Sequence, residues 1–274
     1  MLGRYIARPL LSVLMPALSS RRHLWQRLIG ELRRQAAAIP WRVEILTEED
    51  DGQRPSGAKR NALLSRARGH YVVQVDDDDW VSDEYLAALC EVIYCSRPDV
   101  VGLRAWRTGG NADRIHEFAL NHGDKQQLGW IANPAGIQVR LMAFQANHLC
   151  AWRRELATAC RFPDHLGYND DLFWYQPLIA SGLAKRGEVI ERVLYYYRYD
   201  PQGSANQSAE SRARTRRWAA GGVEHFWHAG RICRAEVGRD DNRDADPIVV
   251  IDPEGRRHLV RRDECRQICT VNMR

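Results

Sequence analysis

The segment Tyr71-Val72-Val73-Gln74-Val75 is an apolar run that ends in four consecutive aspartates, Asp76 to Asp79, with Trp80 behind them. Crowded carboxylates repel: a pair about 4 Å apart costs roughly 1 kcal/mol in water and several times that near a protein surface. A folded chain tolerates such a run where water solvates it, as an acidic turn between strand and helix, or where a cation is shared. In an extended segment alternate side chains lie on one face. Asp76 and Asp78 are therefore expected to point together, with Asp77 turned away and Asp79 behind. Two convergent carboxylates suit a hard divalent ion, Mg2+ or Mn2+, that keeps positions open for phosphate oxygens.

The surrounding hundred residues alternate strand and helix. Leu11–Met15 reads as a short strand closed by Pro16, and Ser19 and Ser20 as caps of a helix reaching Ala38, with Leu24, Leu28 and Leu32 on its apolar face. Val43–Leu46 is a second strand and 47–56 a loop. A helix follows from Gly57 to Ala67, then the strand before the aspartates, a helix capped by Ser82, and a strand at Val100–Leu103. This order predicts an α/β fold with a mostly parallel sheet and right-handed crossovers. Ligands of such sheets bind beyond the carboxyl ends of the strands, where the aspartates lie. Residues 104–146 read as loops and short strands over the site, Arg153–Cys160 and Asp170–Ser181 as helices, and Val189–Tyr197 as a strand. Residues 1–204 are expected to form the main domain. Residues 205–274 are expected to form a small appendage, with an Arg-rich helix and a hairpin of Ile248–Ile251 and His258–Val260.

Four pieces in order, Leu11-Ser12-Val13-Leu14-Met15-Pro16, Gly57-Ala58-Lys59-Arg60-Asn61, Gly69-His70-Tyr71 and Val75-Asp76-Asp77-Asp78-Asp79, resemble the family 2 glycosyltransferases of the GT-A fold, compact bacterial and phage type. The resemblance is close over about residues 10–95 and looser over 145–205. It implies a GT-A, Rossmann-like sheet and a nucleotide-sugar site built from Pro16, Ala17, Leu18, Asp50, Lys59, Arg60, Asn61, Asp76 and Asp77. Glu48 and Asp51 are alternatives to Asp50 as the base-reading acid. Asp78, with Asp76 and Asp79, would hold the metal, and a UDP-sugar would be the donor. Ser19 stands where the family often has Asn.

The resemblance also places an acidic pair before a helix, matched here by Asp170 and Asp171 within Tyr168-Asn169-Asp170-Asp171-Leu172. Asp171 is expected as general base, with Asp170 as the alternate. Asn169 and Asp170 read equally well as helix caps. A late diphosphate loop is implied at Arg198 and Ser204. His148 lies near the expected acceptor side, although a lone histidine is more often structural.

Charge narrows the partners little. The net charge is +5, and Lys59, Lys125 and Lys185 are the only lysines. A uniform arginine bias is weak evidence for nucleic acid, yet it supplies guanidinium groups for phosphate. The basic appendage leaves DNA, including a hydroxylated base, open as acceptor beside glycan and protein. A DNA-binding role without catalysis would use Arg212, Arg214, Arg216, Arg217, Arg231 and Arg234, with Trp218, Phe226 and Trp227 to stack on bases. A sugar-phosphate nucleotidyltransferase would want a glycine-rich loop after the first strand, and Ala17-Leu18-Ser19-Ser20 has no glycine. Seven cysteines, with no CxxC pair, read as free thiols. No segment approaches the ~20 apolar residues of a membrane span. A cytoplasmic enzyme without a transmembrane segment is therefore expected.

Overall fold

The apolar run after residue 10 becomes the central strand β1, Leu11–Leu18. It lies between β2, Val43–Asp50, and β3, Tyr71–Gln74, parallel to both. Pro16 does not close β1. Register with β3 stops at Leu14, so Pro16 is paired on the β2 side only, and its missing N–H leaves no gap in a two-sided ladder. Leu11, Val13, Leu14 and Met15 are fully buried, each contributing about 1.5–3 kcal/mol of burial. Ser12 is buried among them because its hydroxyl is used twice. It donates to Glu44 at 2.7 Å and accepts the Gly69 N–H at 2.8 Å.

The computed structural model describes residues 8–109, 113–123, 125–199, 209–220, 222–236 and 248–271. Helix α1, Arg22–Ala38, packs Trp25, Leu28, Ile29 and Leu32 inward. Ser19 and Ser20 do not cap it through their side chains; they form a 3-10 turn that delivers Arg21 beside the aspartates. Helix α2 spans Ser56–Arg66 and α3 spans Tyr85–Ser96. Strand β4, Trp80–Val81, follows the Asp run directly. Strand β2 is longer than its apolar residues suggest, since Thr47–Asp50 keep pairing with β1 although their side chains are polar.

The stretch 104–146, expected as loops and short strands, is richer in strand than that. Strand β5, Val100–Thr108, is followed by β6, Arg114–Ala119, β7, Gln126–Ala132, and β8, Gln138–Gln145. Polar residues on one face hid the alternation. Strand β9, Ala151–Arg153, takes the start of the expected helix, leaving α4 at Arg154–Ala157. Helix α5 is Leu172–Ala180 and β10 is Gly187–Arg198. Pro177 lies inside α5; the Phe173 carbonyl that it leaves without a helical partner meets the Cys160 thiol at 4.0 Å.

The strands form one mixed sheet in the order β2-β1-β3-β9-β5-β6-β8-β7, with β10 paired parallel to β5 and antiparallel to β4. Strands β2 and β1 end together at Asp50 and Leu18, and β3 ends at Gln74, level with Leu14 and just before the aspartates. Beyond residue 208 come α6, Ala209–Trp218, and a second, antiparallel sheet. Its strands are β11, Val223–His228, β12, Arg231–Ala235, β13, Ile248–Ile251, β14, Arg257–Val260, and β15, Arg266–Val271. Their order is β14-β13-β12-β11-β15, so the expected hairpin is one edge of a five-stranded sheet. Cys265 and Cys269 lie before and in β15, not on a helix. Among the described residues no helix is long and apolar enough to cross a membrane.

Candidate active site

Past Gln74 the chain leaves the extended conformation: residues 77 and 78 form a turn, and the Asp79 N–H reaches the Asp76 carbonyl at 3.4 Å. Strand alternation therefore does not govern the four acids. Asp77 is not turned away. It accepts the Leu18 N–H at 2.7 Å and Arg21 at 2.7 Å, stitching the end of β1 to the acidic turn. Asp78 meets the same guanidinium at 2.9 Å. Asp76 accepts Arg60 Nη2 at 2.8 Å and lies 3.4 Å from His148 Nε2. Asp79 is not a cleft residue. Its oxygens accept the Tyr195 hydroxyl at 2.8 Å and the Arg198 N–H at 2.9 Å, which anchors the end of β10.

Asp76, Asp77 and Asp78 line a cleft of about 530 Å³ at the carboxyl ends of the parallel strands, a size suited to a small-molecule ligand. Burial, opposed by Arg21 and reinforced by Asp76 and Asp77, pushes Asp78 up to about 6. Among the described residues no three acidic, imidazole or thiol side chains converge as a closed metal cage. A Mg2+-type ion needs none, because it takes one or two carboxylates and fills the remaining positions with phosphate and water. Asp78, strained toward protonation and open to the cleft, with Asp76 beside it, fits that pattern; Asp79 does not, since it lies outside the cleft lining.

Arg60 is the hub behind the acids. Its guanidinium donates to Gln74 at 2.5 Å, to Asp76 and to Asp170 at 3.2 Å. Asp170 is 4% exposed, lies outside the cleft lining and balances this buried cation. Asp171 lines the cleft instead, with Oδ2 at 3.0 Å from His148 Nδ1. Neither acid caps α5 through a side chain; the turn into the helix is made by Asn169, at φ 54°. Burial and Arg60 oppose charge on His148, but Asp76 and Asp171 outweigh them and raise it to about 9. Burial disfavours the Asp171 carboxylate, yet the His148 bond and charge, with Arg60, hold it below its usual range.

The other expected residues divide. Pro16, Leu18, Lys59, Arg60 and Arg198 line the cleft. Lys59 is buried, not a solvated first-turn charge, and donates to the Ala17 carbonyl and to Asp50, both at 3.0 Å. Asp50 also accepts the Gly52 and Arg54 N–H groups, so it shapes the loop whose residues Gly52 to Arg54 line the cleft. Glu48 pairs with Arg54 and Arg66. Asn61 is away from the cleft: its amide binds the Phe162 carbonyl and Asp164, and its Oδ1 accepts the Phe162 N–H. Ser204 lies outside the described residues. Sequence reasoning missed Arg21, hidden in an apparent helix cap, and the far wall of His116, Phe118 and Phe144, which alternate on strands read as loop.

This geometry can be set beside known proteins. Residues 29–157 match the sequence model of glycosyl transferase family 2. Over that stretch, just under half of its length, the chain is similar to that family. No curated protein matches the chain. Solved structures similar to this chain include S. aureus TarS 1-349 in complex with UDP-GlcNAc (16% identity, TM-score 0.49, 73% of this chain and 60% of that one). Another is the mannosyltransferase PcManGT from Pyrobaculum calidifontis in complex with GDP-Man and Mn2+ (17%, 0.40, 72% and 59%). The chain thus spans about 60% of the length of these structures.

Proposed function

We propose that this chain transfers a sugar from a nucleoside diphosphate sugar, a UDP-sugar foremost, to an acceptor hydroxyl, with inversion at the anomeric carbon. The observation that carries the reading is one cleft with an open, strained carboxylate, Asp78, beside the cleft-lining cation Arg21, and a second carboxylate, Asp171, held by His148. Asp171 takes the proton from the acceptor hydroxyl, whose oxygen attacks the anomeric carbon from the face opposite the diphosphate. His148 fixes the orientation of Asp171 through Nδ1 and keeps one of its oxygens engaged. Arg21 and Arg198 face the charge that grows on the departing diphosphate. Asp78 and Asp76 would hold a Mn2+ or Mg2+ ion, which would supply Lewis-acid stabilisation of the same charge. Asp170 holds Arg60 and takes no proton from substrate.

Residues 1–204 form the catalytic unit in this reading. The appendage at 205–274 completes the mouth of the cleft, since Ser211 and Arg214 of α6 line it. DNA remains an acceptor class with a specific support: Arg216 and Arg217 are exposed on that same helix. The stacking aromatics expected for a DNA binder without catalysis are internal instead: Phe226 is buried, and Trp218 packs on His165 and Phe173. If DNA is the acceptor, duplex binding weakens steeply with salt; binding that is absent or insensitive to salt removes it. Seven free cysteines accord with a cytoplasmic setting.

A thermal-shift panel of nucleotide sugars with and without Mn2+ tests the function. The cognate donor at a hundred times its Kd stabilises by about 2.7 kcal/mol. Stabilisation by nucleoside triphosphates alone would point to a nucleotidyltransferase and contradict the proposal.

A further inference from the structure

The face of the sheet that floors the far side of the cleft continues outward into a row of arginines. Arg107 on β5 is in register with Arg114 on β6, and Arg114 with Arg140 on β8. Residues in register share a face, and neighbouring strands lie about 4.8 Å apart. Two residues back along the same strands, Ala105 and His116 line the cleft. The arginine row is therefore about 7 Å beyond the cleft floor. Like charges directly opposite on adjacent strands are destabilising, so the row needs a reason.

Arg140 is exposed, while Arg107 and Arg114 are half-buried. Arg107 Nη1, Arg114 Nε and His116 Nε2 are shielded from water and have no hydrogen-bond partner. Among the described residues none of the three arginines has a carboxylate partner; Arg107 has the Tyr199 ring at 4.0 Å. On the opposite face of the same strands Arg104 shows the alternative arrangement, pairing with Glu117 at 2.6 Å and Glu191 at 3.4 Å. Burial, then the charges of Arg107 and Arg140, push Arg114 below the usual arginine range, as expected for a cation whose counter-ion is not part of the protein. Trp130 on β7, in register with Arg140 and 66% exposed, closes the row with a flat apolar surface.

We propose that Arg107, Arg114 and Arg140 receive a phosphate group of the acceptor, holding it about one sugar ring beyond the hydroxyl that enters the cleft. The assignment rests on the transferase reading and adds the acceptor's chemical class. Three guanidiniums around one oxyanion give charge-assisted, geometrically specific hydrogen bonds. His116 lies between this anion site and the cleft.

Calorimetric titration of the full chain with ribose 5-phosphate and with ribose, in wild type, Arg114→Gln and Arg140→Gln, tests the assignment. Ribose 5-phosphate is expected to bind at least tenfold more tightly than ribose, and each substitution to remove that advantage. The Tm of Arg114→Gln is expected to equal or exceed wild type, because a repulsion is relieved, while a nucleotide sugar still stabilises the variant. Equal binding of both probes, or ribose 5-phosphate affinity that survives both substitutions, overturns the assignment, since the phosphate then sits elsewhere. A drop in Tm with loss of nucleotide-sugar stabilisation in both variants also overturns it and makes the arginines structural. Failure of every nucleotide sugar to stabilise the wild type overturns the underlying transferase reading instead.

Discussion

At Arg60 a buried cation is surrounded by Asp76, Asp170 and the amide of Gln74, with His148 and Asp171 one step further. Removing one member of a buried charge network leaves the others uncompensated, at a cost of about 3–5 kcal/mol. Arg60→Met is therefore expected to lower unfolding stability by that amount in urea titration; a change below 1 kcal/mol would show that water already screens the cluster. Asp171→Asn keeps the shape and removes the proton acceptor, so kcat should fall about 10²–10⁴-fold at saturating donor. Asp170→Asn should act chiefly on stability. The sequence brought these acids to notice together but could not separate them, because which carboxylate faces a cleft depends on a φ reversal at Asn169 that no periodicity encodes. The basic pair Lys59-Arg60 was legible from its motif. Asp79 and Asn61 were overread, since a motif records that a residue is fixed and not what fixes it.

Among the elements, β2 and α2 carry the site's scaffolding. Glu44 on β2 is buried and accepts the Ser12 hydroxyl and the Arg68 N–H and Nε. Burial opposes its charge, but these bonds hold its carboxyl below the usual value. A depressed carboxylate stabilises the fold fully above its unfolded pKa, near 4.3, and loses that contribution as pH falls through the folded value. Thermal unfolding from pH 6 to pH 2 should therefore lose stability less steeply in Glu44→Gln than in wild type, from a lower starting point. Gly57 opens α2 because its backbone lies against the Pro163 carbonyl, where an added Cβ would clash, and its N–H bonds the Leu166 carbonyl at 3.2 Å. Gly57→Ala should cost about 1–3 kcal/mol by overpacking, read in the same unfolding assay. The helix start was visible in sequence; its contact with a loop a hundred residues away was not. The extent of the strands at 104–145 was legible only in part for a related reason, since polar residues on the face toward the cleft and the arginine row mask the alternation that marks a strand.

The whole molecule joins two sheets through a small apolar cluster. Leu166 and Phe173 pack with Ala219, which precedes β11, and with Val223 and Val271 of the second sheet; Ile232 of β12 belongs to the main core, and Arg161 donates to the Pro253 carbonyl at 3.2 Å. With this shared core, calorimetry should show one unfolding transition; two separated transitions would make the appendage an independent unit. At this scale the fold class was readable, because strand–helix alternation and the acidic run at a strand's exit are both local signals. The five-stranded second sheet was only half readable, its pairing being set by long-range contacts. The central claim, however, lies in the cleft: Asp78 is tolerated there because a divalent cation and a donor diphosphate share it. Anomalous diffraction at the manganese edge, from crystals soaked with Mn2+ and a UDP-sugar, tests this most directly. A peak in contact with the Asp78 carboxylate and the diphosphate is predicted, and its loss in Asp78→Asn. A bound diphosphate with no peak there, or a peak unaffected by that substitution, would contradict the account.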